Sequence, residues 1–346
     1  MIIKIEKCVA SVGALFMRRR RLLAGIAATA TLGALGVGPS VSLAAEYPDK
    51  PIRLVVPVPT GGVTDVVGRM LANELSNVLG QTVMVENKGG ASGTIGTAQV
   101  ARAPADGYTL LLAMDTHSSN QFLFDNLDYD AVRDFSPVAL LGTVPMVLLG
   151  GPSLPKTTFP AVIEHLKQNP EGYAYGSIGL GSQTHLPASL LESSADVKML
   201  HVPYTGGGPM ANALLGGHVH FIFASLMTAV KLAQREEVQV FAICGPERAA
   251  AFPDVPTTAE LGHPSVKMGM WFGVFAPAGT PGDVISKLSS AIGNILTDEK
   301  VNKRLVDMQM TVDYRDPDGF RQFFEEDIVQ RGELIKRENI GSNNPK

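Results

Sequence analysis

Pro57-Val58-Pro59-Thr60-Gly61-Gly62-Val63-Thr64-Asp65 is the stretch on which the reading of this chain turns. An apolar, strand-like run, residues 52–58, enters it, and a helical pattern, residues 65–79, leaves it. A strand that turns through a Pro/Gly-rich loop into a helix leaves main-chain N–H groups unpaired at the turn, and the helix dipole adds partial positive charge there. Such a turn is a cradle for an anion. Gly61 and Gly62 have no Cβ, so a ligand can approach the main chain. Pro59 frames the loop, Thr60 and Thr64 add hydroxyls, and Asp65 sits in the first helical turn. The plain alternative is a tight βα connection with Thr64 as the helix cap, and the loop alone does not separate the two.

Toward the N-terminus lies a segment that reads as an export signal. Arg18 to Arg21 form a basic region, Leu22 to Val37 an apolar stretch rich in Ala and Gly, and Ser42-Leu43-Ala44 a small-residue cleavage site. The apolar stretch is short of the roughly 18–20 residues that a membrane span needs. Residues 1–44 are therefore expected to be a signal peptide, removed on export to the periplasm, with no direct membrane insertion afterwards. That segment carries Lys4, Lys7 and four arginines against Glu6, a net of +5, so a chain of net charge −4 leaves a mature part near −9. An acidic surface argues against nucleic acid as a partner. It does not exclude an anionic ligand bound locally by N–H groups and hydroxyls. Cys8 leaves with the signal, and Cys244 is then alone in an apolar strand pattern, a core residue rather than half of a disulfide.

Toward the C-terminus, strand and helix patterns alternate, which means a mainly parallel sheet covered by helices. Strands read at 52–58, 82–86 and 108–114, with helices at 65–79 and 93–102. A long apolar run at 138–149 looks like a crossing between domains. A second alternation follows: helix 159–168, strand 173–176, helix 183–194, strand 198–203, helix 208–215, strand 218–223, helix 226–234 and strand 238–244. A second apolar run, 270–276, crosses back, and helices follow at 282–297, 299–308 and 317–338. Two crossings with an α/β unit between them predict a discontinuous first domain, 45–143 with 272–346, and an inserted second one, 144–271.

Ligands of open α/β sheets sit beyond the carboxyl ends of the strands. Five segments fall there: the opening loop; Asp115-Thr116-His117-Ser118-Ser119-Asn120; Ser177-Ile178-Gly179-Leu180-Gly181-Ser182-Gln183-Thr184-His185; Tyr204-Thr205-Gly206-Gly207-Gly208; and Ala224-Ser225. All are rich in small hydroxyl residues, and four place Gly or Ser just before a helical pattern. Several helix N-termini with hydroxyls hold an anion without Arg or Lys, each contributing roughly 0.3–2 kcal/mol. Five ordinary N-caps would use the same residue types.

These residues carry a resemblance. Tyr47-Pro48-Asp49-Lys50-Pro51-Ile52 followed by the opening loop is similar to the start of the Bug-type periplasmic solute-binding proteins, the receptors of tripartite tricarboxylate transporters. The likeness runs on through Val85-Glu86-Asn87-Lys88-Gly89-Gly90-Ala91, Ala105-Asp106-Gly107-Tyr108-Thr109-Leu110, Asp134-Phe135-Ser136-Pro137-Val138, His201-Val202-Pro203-Tyr204 and Phe252-Pro253-Asp254-Val255-Pro256-Thr257. It ends at Trp271-Phe272-Gly273 and Ala276-Pro277-Ala278-Gly279, and covers nearly the whole mature chain. It implies a two-lobed class II periplasmic-binding fold, each lobe a mainly parallel sheet flanked by helices and joined by two crossover strands. It implies a receptor rather than an enzyme, with no cofactor, for a di- or tricarboxylate, an acidic amino acid or an aromatic acid. The partner it implies is a membrane permease, or a two-component sensor kinase if the receptor signals instead. By motif, Pro59, Thr60, Gly61, Gly62, Thr64 and Asp65 would grip the ligand from one lobe. Ser177, Gly179, Gly181, Ser182 and His185 would grip it from the other, with Tyr204, Thr205, Gly206 and Ser225 nearby.

The chain departs from the family pattern at Thr60, where a proline is usual, at Thr205, where lysine is frequent, and around His220 and Ala224. The triplet Asp115-Thr116-His117 is uncommon too. These departures bear on the far end of the ligand, and Asp115 is a candidate partner for an ammonium group, with an N-capping or surface role as the alternative. His218 and His220 face one side of a strand, but no third metal ligand is suggested by spacing. No Gly-x-Ser-x-Gly elbow is present, and the Gly-rich run 89–96 lacks a nucleotide-loop ending. Trp271, on the second crossing, is expected to pack at the hinge.

Overall fold

The computed structural model describes residues 46–338 and Ile340; the expected signal segment lies outside them. The first sheet half begins with β1 (Ile52–Val56), which pairs in parallel with β2 (Val83–Asn87) and β3 (Thr109–Met114). Helices α1 (Val63–Leu79) and α2 (Thr94–Ala101) connect them. β1 and β3 are apolar and almost wholly buried, as strands covered on both faces must be. α1 turns Val67, Met70, Leu71 and Leu75 inward and ends at Gly80 in the left-handed conformation (φ +68°), a position glycine occupies without strain.

The long apolar run forms one 16-residue strand, β4 (Phe135–Gly150). Its first part pairs antiparallel with β9 (Gly269–Pro277), from Phe135 opposite Pro277 to Pro145 opposite Gly269. From Met146 onward it pairs with β7 (Phe221–Ser225) and β8 (Gln239–Ile243) instead. The second half is completed by β5 (Ala174–Ser177), parallel to both β7 and β6 (Leu200–Pro203). The strand order is β2-β1-β3-β9-β4-β7-β5-β6. The fold is thus α/β and two-lobed, with parallel strands within each half and two antiparallel crossing strands between them.

Helices α4 (Phe159–Gln168), α5 (Leu186–Ala195), α6 (Gly207–Leu215) and α7 (Leu226–Leu232) cover the second half. The first half receives α8 (Gly282–Thr297), α9 (Glu299–Asp307) and α10 (Pro317–Arg337). Two elements depart from the expectation. Residues 311–315 form β10, an edge strand antiparallel to β4. The polar stretch after β3 forms a helix, α3 (Thr116–Leu123). Among the described residues no helix is long and apolar enough to cross a membrane.

Candidate functional site

β1 delivers the chain into residues 57–62, of which Pro59, Thr60, Gly61 and Gly62 are exposed. α1 begins at Val63, so Gly62 rather than Thr64 holds the capping position, in extended conformation and with no side-chain cap. The first N–H groups of the helix are left without intrahelical acceptors. A Cβ at Gly61 or Gly62 would meet nothing within 4 Å, so the main chain here borders open space. Asp65 is buried and braces the loop. It accepts hydrogen bonds from Gly61 N (2.9 Å), Arg69 Nε (3.1 Å) and Asn87 Nδ2 (2.8 Å). Burial alone would raise its pKa, but these donors, Arg69 first, outweigh it and hold the carboxyl below its ordinary value. Asp65 therefore shapes the cradle. Thr64, also buried, directs Oγ1 to Met114 Sδ at 3.3 Å, tying the start of α1 to the end of β3.

At that end Asp115 precedes α3, and every residue from Asp115 to Asn120 is buried. Asp115 Oδ2 lies 3.5 Å from Arg331 Nη1, while Oδ1 is enclosed without a hydrogen-bond partner. Burial pushes the Asp115 carboxyl up to about 7, against the pull of Arg331. Arg331, equally buried, also donates to Asp327 Oδ2 (2.8 Å) and to the Gly269 carbonyl (3.2 Å), and Trp271 Nε1 donates to the same Asp327 oxygen (2.7 Å). The cationic partner expected for Asp115 is thus supplied from within the chain. Thr116, at the first turn of α3, is buried beside it. His117 is a core side chain. It stacks on Phe324 (ring centroids 5.2 Å) and Tyr129 (5.9 Å) and meets Phe135 and Phe275 edge-on. Neither ring nitrogen makes a hydrogen bond of good geometry, although the Ala131 backbone lies near enough to favour the charged form slightly. Burial depresses its pKa to about 3.

In the second half the loop after β5 is folded on its own hydroxyls. Ser177 Oγ accepts from Gly179 N (2.9 Å) and is hydrogen-bonded to His201 Nε2 (2.6 Å). Ser182 Oγ donates to the Gly179 carbonyl (2.7 Å), and Thr184 Oγ1 accepts from Ile178 N (2.8 Å). His185 Nδ1 accepts from Gly181 N (3.2 Å), so the imidazole holds the turn of its own loop. Gly179 (φ +116°) has nothing within 4 Å of its Cβ position. Gly181 is the opposite: a Cβ there would lie 2.3 Å from Leu123 Cδ1, so the loop rests directly on α3. The next loop is anchored by Tyr204 N, which donates to the Ser177 carbonyl (2.8 Å). Beyond Tyr204 and Thr205, the main chain at Gly206, Gly207 and Gly208 again borders open space. Ser225 is the N-cap of α7, accepting from Thr228 N (3.3 Å).

The structure thus joins the α1 start to the α3 start through Thr64 and Met114, and α3 to the loop after β5 through Leu123 and Gly181. Buried polar atoms without partners gather along this seam: Asp115 Oδ1, Ser118 Oγ, Asn120 Oδ1 and Gln183 Oε1. Sequence reasoning missed His201 as a loop-holding residue, although it lies in the quoted run His201–Tyr204, and it missed Arg331, whose only signal was an arginine among many on an amphipathic helix. His220 Nδ1 accepts from Ala174 N (2.9 Å). Among the described residues no group of three His, Cys, Asp or Glu side chains is placed to hold a metal.

Residues 67–340 match the family described as the tripartite tricarboxylate transporter family receptor. The chain is 36% identical over 322 residues to protein BugT of Bordetella pertussis (strain Tohama I), covering 92% of this chain and 98% of that protein. Among solved structures it is similar to an R. palustris protein with adipate, at 31% identity and TM-score 0.80, over 85% of this chain and 99% of that one. It is likewise similar to MatC from Rhodopseudomonas palustris with bound malate, at 33% identity and TM-score 0.76, over 84% of this chain and 100% of that one.

Proposed function

Because the chain belongs to the tripartite tricarboxylate transporter receptor family, and is a solute-binding receptor rather than an enzyme, we propose that it binds a small carboxylate between its two lobes in the periplasm. We assign residues 1–44 to a signal peptide, 45–143 with 272–346 to one lobe, and 144–271 to the other. The ligand's first carboxylate is received by the main chain of Gly61 and Gly62 at the start of α1 and by the loop from Ser177 to Ser182. The observation that carries this reading is the open space over glycine main chain at 61–62, 179 and 206–208, in three loops at strand carboxyl ends. Oriented N–H groups there hold a carboxylate without a formal cation. The unpartnered buried atoms Asp115 Oδ1, Asn120 Oδ1 and Gln183 Oε1 are acceptors, and with the Ser118 hydroxyl they call for a hydrogen-bond donor such as water or a ligand hydroxyl rather than for a second carboxylate. Relatives with malate and adipate bound point to a dicarboxylate. A permease of the tripartite type is the partner to which the closed receptor delivers.

The test is a thermal-shift screen against dicarboxylates, tricarboxylates, acidic amino acids and aromatic acids. A ligand at about 100 times its Kd adds roughly 2.7 kcal/mol, a shift of several degrees for a protein of this size. The expected result is a shift with a dicarboxylate and none with its diamide. If the diamide does as well, or if no acid shifts the protein after refolding to strip bound ligand, the carboxylate reading fails.

A further inference from the structure

A cavity of 880 Å³ lies where β4 exchanges β9 for β7 and β8 as its partners. None of the loop residues assigned above lines it. Its walls come from both sides of the exchange: Leu190 and Leu226 from the second half, Val306, Met310 and Phe323 from the first, with Thr143, Pro145 and Gly269 to Trp271 between them. We propose that this cavity is a second ligand site, that it takes a small organic monoanion with an apolar body, and that its occupancy favours the arrangement in which the residue-181 loop packs on α3.

The volume is within the roughly 300–1,000 Å³ of small-molecule sites. Met268, Met270, Trp271, Met310, Phe323 and Leu334 give it an apolar, adaptable wall. Its cations are not equally committed. Arg248 is paired with Glu260 at 2.9 Å and Arg337 with Glu338 at 3.0 Å. Lys267 makes no ion pair among the described residues. Of the five N–H donors of Arg331, Nε bonds Asp327 at 2.8 Å, one Nη2 hydrogen bonds Gly269 O at 3.2 Å, and Nη1 contacts Asp115 at 3.5 Å and Met268 Sδ at 3.6 Å, which leaves one Nη2 hydrogen over. One anionic head meets the Lys267 ammonium and that remaining donor. Glu247, Glu333 and the Arg331-bound Asp327, on the same lining, disfavour a second carboxylate, so the cavity selects against the two-headed acids assigned to the interlobe site.

Since both sides of the exchange line the cavity, its volume depends on the angle between them. In this structure the cavity is present while Leu123 packs on Gly181, so an occupant that fits this volume better than the volume at another angle stabilises the packed state, and its coupling to a ligand held there is reciprocal.

The protein has one tryptophan, Trp271, in the cavity wall, so its emission reads the site directly. Octanoate titrated into the whole protein should change Trp271 emission saturably, and 1-octanol should bind at least about 10-fold more weakly. Lys267→Glu, at an exposed rim position, should weaken octanoate about 10-fold, and adipate should not displace it. Equal binding of octanol, an unchanged Lys267→Glu variant, or competition by adipate would each overturn the site. For the coupling, cysteines at exposed Phe122 and Leu180, which flank the Leu123–Gly181 contact, should form a disulfide at least about 2-fold faster with octanoate present. An unchanged or slower rate would overturn the coupling.

Discussion

His117 shows how one residue can look like chemistry and act as packing. In sequence it stands beside Asp115 at a strand's carboxyl end, where ligands bind; in the fold it fills an aromatic cage and stays neutral. The unfolded chain takes up a proton at His117 near pH 6.5, the folded chain only near 3, so its contribution to stability falls as pH drops through that window. Asp115 has the opposite sign: with its folded pKa raised to about 7, it stabilises the protein at low pH and loses that contribution as pH rises through its folded value. His117→Phe keeps the ring contacts and removes the proton. Between about pH 7 and about pH 4 the wild type should lose about 3 kcal/mol more urea stability than the variant; equal losses would mean that the imidazole is protonated inside the fold. The glycines and hydroxyls of the candidate loops were legible because turns and anion cradles need those residue types. The pairing of Asp65 with Asn87, and of Asp115 with Arg331, was not, because each of those partners comes from another element; Arg69, four residues on from Asp65 in the same helix, lay within reach of helical spacing.

At the level of elements, two helices, 159–168 and 282–297, were readable to the residue, because an apolar stripe and a start signal coincide there; the other expected helices came out within one to three residues of their bounds. Two elements escaped for opposite reasons. α3 opens on six polar residues and reads as a loop; its burial comes from tertiary packing beneath α10. β10, Thr311 to Arg315, is a short polar edge strand with little apolar alternation, and its place is set by the strand it joins. Gly142 in β4 makes that junction possible. Its φ is +152°, and a Cβ there would stand 2.2 Å from the Thr311 carbonyl oxygen. Gly142→Ala should cost about 2–4 kcal/mol through the clash and the unfavourable backbone angle, lowering Tm by about 3–6 °C for a chain of this size. A Tm within about 1 °C of wild type would mean that β10 does not pair with β4 in solution.

For the whole molecule, the contact between Leu123 and Gly181 is where the two halves meet beside the candidate site. Gly181→Ala adds a methyl group that clashes with Leu123 and sits at φ +66°, so it opposes the packed arrangement. Affinity for the carboxylate identified by the thermal-shift screen should fall about 10-fold or more by calorimetry, and Leu123→Ala in the same chain should recover part of it. Full affinity in the single variant would show that this contact is not part of the ligand-bound state. The strand order carries a last consequence, for how the chain is made. β9 sits between β3 and β4, yet it is encoded at residues 269–277, after the entire second half. A nascent chain that has already produced β1 to β4 holds two bare strand edges facing a gap until residue 269 emerges. At about 5–20 residues per second that wait is on the order of ten seconds. Over that time the newborn first half is a half-zipped sheet, and holdase chaperones that mask open edges are what its biogenesis calls for.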